Sequence, residues 1–237
     1  MKIHFFKKIL FALCVIAVAQ AFAVDPIWNM RYTFGPDSKM ASNFNFGLGA
    51  QSQYNSNVLI PVNLIGAISK NFEIGAKVDI QTYDQMDHAM LFADFGGRYK
   101  FKTGTFMELD GYFGLNRNNG SAFVATLGTE QYVSKNFANY FEARAGFLDG
   151  VTGDDGYVKM SVGMTPTLIF GKFLRCMIEI NSSASAGHLS DDFMMDIIPK
   201  FEIAVGGTRI RMDFDIGVLQ ESNNDQRSIG LYVMTSL

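Results

Sequence analysis

A histidine, a serine and two acids share one short run, Gly187-His188-Leu189-Ser190-Asp191-Asp192. These are the residue types that base-assisted attack by a hydroxyl requires: His188 would take the proton of Ser190 while Asp191 orients the ring. No diagnostic hydrolase motif surrounds them, and a solvated loop is the simpler reading. Asp149 with Thr152-Gly153-Asp154-Asp155-Gly156 offers carboxylates to a hard cation but lacks the spacing of an EF-hand, so an ordinary turn is the simpler account. The chain carries no P-loop, dinucleotide fingerprint, Cys/His zinc cluster or basic nucleic-acid patch. No cofactor, metal or nucleic-acid chemistry is therefore expected.

Most of the charged residues are arranged differently, at every second position of long apolar segments. In 72–80, Phe72, Ile74, Ala76, Val78 and Ile80 alternate with Glu73, Gly75, Lys77 and Asp79. In 89–101 the set Leu91, Ala93, Phe95, Gly97, Tyr99 and Phe101 opposes Asp94, Arg98 and Lys100. In 208–219 Ile210, Met212, Phe214, Ile216 and Val218 oppose Arg209, Arg211, Asp213 and Asp215. The same parity picks out Glu108, Asp110, Glu130, Glu142, Arg144, Lys159, Arg175, Glu179, Asp196, Lys200 and Glu202. Successive side chains of a strand point to opposite faces, so each segment has one apolar and one charged face. A lipid-facing Arg or Lys at the bilayer midplane costs about 2–4 kcal/mol, so in a membrane the charged face must line an interior.

Twelve such segments follow one another: 43–52, 58–68, 72–82, 89–101, 105–116, 122–132, 140–148, 157–169, 173–181, 194–205, 208–219 and 227–235. Short turns at 69–71, 102–104, 134–136, 171–172 and 206–207 alternate with longer connections at 53–57, 83–88, 117–121, 149–156, 182–193 and 220–226. The pattern predicts an all-β, antiparallel, up-and-down transmembrane barrel with short periplasmic turns and modest extracellular loops. His88 and His188 both fall in the longer connections. A soluble sandwich or lipocalin-like barrel also alternates, but so many long strands around one small closed core would be unusual. The 22 Phe and 9 Tyr fit a surface turned toward lipid and its interfaces.

Ahead of the strands, Lys2, Lys7 and Lys8 precede an apolar run at 9–19, and Ala21-Phe22-Ala23 supplies a small-x-small cleavage site. Residues 1–23 read as a secretory signal peptide, 24–41 as an extension or short strand, and 42–237 as the barrel. Removing the leader leaves Cys176 alone, on the apolar face with Leu174, Ile178 and Ile180, where it acts as a small hydrophobe.

By its leader, strand series, aromatic load and final segment 229–237, the chain resembles the outer-membrane β-barrels of Gram-negative bacteria. Members of that class commonly end in an aromatic residue, whereas this chain ends in Leu237. The resemblance implies an outer-membrane location after export, with bilayer lipids and the export and barrel-assembly machinery as partners. The expected function is a narrow, weakly selective hydrophilic channel for ions or small polar solutes. An occluded structural or interaction barrel and a rim hydrolase at His188, Ser190 and Asp191 are the alternatives.

Overall fold

The computed structural model describes residues 44–52, 58–83, 88–115, 120–149, 157–186, 193–219 and 227–237. The proposed leader, the 24–41 extension, the 152–156 cation candidate and His188, Ser190 and Asp191 lie outside them.

Twelve strands form one closed antiparallel barrel: β1 (Asn45–Ser52), β2 (Val58–Ala67), β3 (Phe72–Tyr83), β4 (His88–Lys100), β5 (Thr105–Gly114), β6 (Ser121–Ser134), β7 (Phe137–Asp149), β8 (Tyr157–Phe170), β9 (Leu174–Ser185), β10 (Met194–Val205), β11 (Thr208–Leu219) and β12 (Arg227–Ser236). Each strand pairs with its sequence neighbours, and β1 closes onto β12 with Asn45 opposite Ser236 and Ser52 opposite Ile229. Closure leaves no edge strand, as a spanning sheet requires. The Leu237 amide donates to the Phe44 carbonyl at 2.8 Å, bringing both ends of the barrel chain to the end where the short turns lie.

Those turns are built by local chemistry. The Ser69 hydroxyl accepts the amides of Asn71 and Phe72 at 3.3 and 3.1 Å, and Ser134 Oγ accepts the Asn136 amide at 3.2 Å. This is one turn solution used twice, in Ser69-Lys70-Asn71 and Ser134-Lys135-Asn136. Gly104 sits at φ 84° in the β4–β5 turn, a conformation a side chain would strain.

The burial profile is inverted relative to a water-soluble protein. Phe95, Leu109, Phe123, Leu127, Val162 and Ile178 are exposed, while Lys77, Asp79, Asp94, Arg98 and Glu179 are buried. An exterior of this kind is stable only against lipid, which it needs as solvent. Phe44, Phe101, Phe170 and Phe173 crowd the exterior at the turn end, and Phe113, Phe123, Phe147 and Phe193 at the other, as two aromatic girdles.

Several strand ends differ from the sequence reading. His88 opens β4 opposite Tyr83 instead of lying in a loop. β6 and β7 run on to Ser134 and back from Phe137, with a register shift between Tyr132 and Ser134 that breaks the alternation there. β9 extends to Ser185 because Ser182-Ser183-Ala184-Ser185 keeps its ladder with β8, although both of its faces are small and carry no hydrophobic signal.

Candidate functional site: the charged inner wall

All twenty-one of the sequence-selected inner-face residues lie in described strands, and the ladder registers bring them together inside the barrel. Strands six places apart in a ring of twelve stand opposite, so β5 faces β11 and β2 faces β8. The acids and bases gather into two groups.

The first group spans β3 to β7. Lys77 Nζ lies 2.9 Å from Asp79 Oδ2, and Arg98 Nη2 lies 2.6 Å from Glu108 Oε2, directly across the β4–β5 ladder. The Arg98 Nε donates to the same oxygen at 2.7 Å, and its guanidinium stacks 4.5 Å from the Phe106 ring centroid. Phe106 in turn stacks on Tyr140 at 5.4 Å. Arg144 Nη2 reaches Glu142 Oε2 at 3.1 Å. Glu73, Asp94 and Asp110 are buried beside these pairs. Toward the loop end the inner face turns apolar: Phe92, Tyr112, Ala122, Val124 and Leu148 form a buried cluster, with Phe92 and Tyr112 stacked at 4.9 Å. This cluster was not expected; its signal was the apolar residue beyond the last inward charge of β4, β5 and β7, at Phe92, Tyr112 and Leu148.

The second group spans β9 to β12. Lys200 Nζ lies 2.6 Å from Glu179 Oε2 and 3.8 Å from Asp213 Oδ2, and Arg211 Nε lies 3.1 Å from Asp213 Oδ1. Nearer the turns, Glu202 Oε1 is shared by Arg175 Nη1 at 3.5 Å and Arg209 Nη1 at 3.8 Å. Asp196 and Asp215 occupy the loop-end part of this face, and Lys159 lies buried on β8 between the two groups. Asn181 donates to Glu179, which fixes the carboxylate that receives Lys200.

A further contact of the first group lies at the turn end. Lys100 Nζ lies 3.8 Å from Glu130 Oε2, which spans β4 to β6. Tyr132, passed over because the sequence reading selected charged residues, donates to Glu130 Oε1 at 2.8 Å and lies within electrostatic reach of Arg175 and Arg209. Among the described residues, no group of three or more His, Cys, Asp or Glu side chains is placed to hold a metal ion.

An antiparallel barrel closed without an edge, apolar outside and charged inside, is a transmembrane β-barrel of the outer-membrane type. No family model matches the chain, and no curated protein matches its sequence. Its fold is similar to that of the KdgM porin, with a TM-score of 0.62 at 9% identity, covering 81% of this chain and 99% of that one. The NanC porin gives 0.62 at 8% identity over 82% of this chain and 100% of its own. An outer-membrane channel from Pseudomonas putida F1 gives 0.59 at 8% identity over 91% and 100%.

Proposed function

We propose that the barrel is an outer-membrane channel, a narrow and weakly selective hydrophilic conduit for ions or small polar solutes. One observation carries this reading: the ion pairs run along the wall and not across the interior. Of nine such pairs among the described residues, three lie within one strand, five join neighbouring strands, and one, Lys100–Glu130, skips a strand. Pairing of this kind keeps buried charges satisfied without stitching the two sides of the barrel together. The inner face carries nine bases and twelve acids, a mixture that supports only weak selectivity. The fold's likeness to proteins named as porins and channels supports the same reading.

A closed barrel is the second reading, and the complete burial of Glu73, Asp79, Asp94 and Glu179 favours it. Single-channel recording of the purified, heat-modifiable protein in a planar bilayer separates the two. Reproducible conductance steps with a reversal potential near zero in a salt gradient are expected. A folded barrel that stays silent would replace the channel by the occluded form.

A further inference from the structure

We infer that the turn-end mouth is an anion-binding vestibule for small solutes bearing carboxylate or phosphate groups. Two independent charge patterns converge there. The first is in the connections. The five short turns carry Lys70, Lys102, Lys135 and Lys172 and no acid, and all four lysines are exposed. The six connections at the opposite end carry eight acids and, as their one base, Arg117. The chain is thus polarised along the barrel axis, basic at the turns and acidic at the loops.

The second pattern is in the wall behind the lysines. The side chains of Arg209, Arg175, Lys100 and Arg211 are 26, 19, 18 and 11% exposed, whereas Glu202 and Asp213, which hold three of them, are 4 and 8% exposed. Glu202 and Asp213 are withdrawn into the wall and present the guanidiniums to the mouth, while Glu130, 21% exposed, stands there beside Lys100. Arg175 and Arg209 both reach one carboxylate oxygen of Glu202, at 3.5 and 3.8 Å, which holds the two guanidiniums side by side. Planar guanidiniums held side by side match the oxygens of a carboxylate or phosphate. Tyr132, close enough to act on both arginines electrostatically, lies at the same end with its hydroxyl donated to Glu130. The lysine rim supplies the longer-range field that draws an anion in, an effect screened by salt.

Short turns face the periplasm in barrels of this class, so the vestibule opens to that side. Only the sidedness of its action rests on the channel reading, since binding itself needs no current. Calorimetric titration of the folded protein in detergent with citrate, and separately with inorganic phosphate, measures the site directly. Binding is expected to weaken about tenfold or more in R175Q/R209Q, and to recover in part in R175K/R209K, which keeps the charge and loses the fork. K70Q/K102Q/K135Q/K172Q should keep the site and lose its salt dependence. In a planar bilayer, citrate should obstruct current from the turn side alone.

Unchanged citrate binding in R175Q/R209Q overturns the vestibule, as does equal obstruction from both sides. If that variant fails to fold, undiminished citrate affinity in R175K/R209K overturns it as well. Conductance without citrate binding removes the vestibule and leaves the channel; citrate binding to a silent barrel does the reverse. Should the lysine variant lose affinity for phosphatidylglycerol vesicles while its citrate binding keeps the full salt dependence, the rim serves lipid headgroups and its steering role falls.

Discussion

The Arg98–Glu108 pair of the β3–β7 wall and the Glu202 arginines of the β9–β12 wall are the same kind of ion pair, yet they differ in how far water reaches them. On the first wall Arg98 is 1% exposed, gripped by Glu108 and lying on Phe106, and the apolar Phe92–Leu148 cluster closes the face above it. On the second wall, Arg175 and Arg209 hang from Glu202 by longer contacts and keep partial access to solvent. Burial decides the role. A dry pair cannot exchange its partner for a solute and acts as bracing, while a wet pair holds its cation in place for one. The arginines on this inner face are therefore not equivalent, although alternation alone makes them look so.

The largest expected effect tests this directly. Arg98→Gln leaves Glu108 buried without its cation, and removing one partner of a buried pair costs about 3–5 kcal/mol. Arg175→Gln, on a partly exposed pair, should cost about 0–1 kcal/mol. Urea unfolding in liposomes, followed by heat-modifiable mobility, reads both. Equal losses in the two variants would erase the distinction between a bracing wall and a wet one.

A smaller effect comes from the packing that keeps the first wall dry. A Cβ on Gly128 would come 2.2 Å from Phe106 Cζ and 2.8 Å from the Phe141 carbonyl oxygen. The glycine therefore makes room for the ring under Arg98. Gly128→Val should destabilise the barrel by about 1–3 kcal/mol, the usual cost of overpacking. Gly207, in the turn between β10 and β11, has only Ser236 Cβ nearby, at 3.6 Å, and Gly207→Ala should be near neutral. The same unfolding assay sharpens the comparison if only the first substitution lowers stability.

The sequence made the barrel legible because membrane strands obey period two under a severe penalty. Glu73, Lys77 and Asp79 had to share a face, and they do. Where the penalty relaxes, legibility fades. Ser182 to Ser185 is small and polar on both faces, so the extension of β9 had no alternation to betray it. Tyr132 shares the parity of Glu130 and was hidden for another reason: it carries no charge, and charge was the signal by which the inner face was read. Pair identity was illegible for a different reason. Alternation says that Arg98 and Arg175 face inward, but only the ladder register puts Arg98 opposite Glu108 and Arg175 opposite Glu202. The lysines of the turns were in plain view, but their meaning emerges once all five turns are seen to lie at one end.

The smallest predicted effect lies where the second wall meets the closing seam. Tyr232 on β12 lies over Gly49 of β1, where a Cβ would come 2.2 Å from its ring, so the seam accepts the aromatic by having no side chain beneath it. Its hydroxyl donates to Gln51 Oε1 at 3.1 Å, Gln51 Nε2 donates to Ser228 Oγ at 2.7 Å, and the Arg211 guanidinium sits 5.3 Å from the ring centroid. Tyr232→Phe keeps the ring and the cation contact and deletes one hydrogen bond, which is worth about 0.5–1.5 kcal/mol. Unfolding stability should fall by that amount, while citrate affinity stays at the wild-type value because Arg175 and Arg209 keep their hold on Glu202. A loss of citrate affinity as large as that of R175Q/R209Q would mean that the seam, and not the Glu202 pair, positions the cations of the mouth.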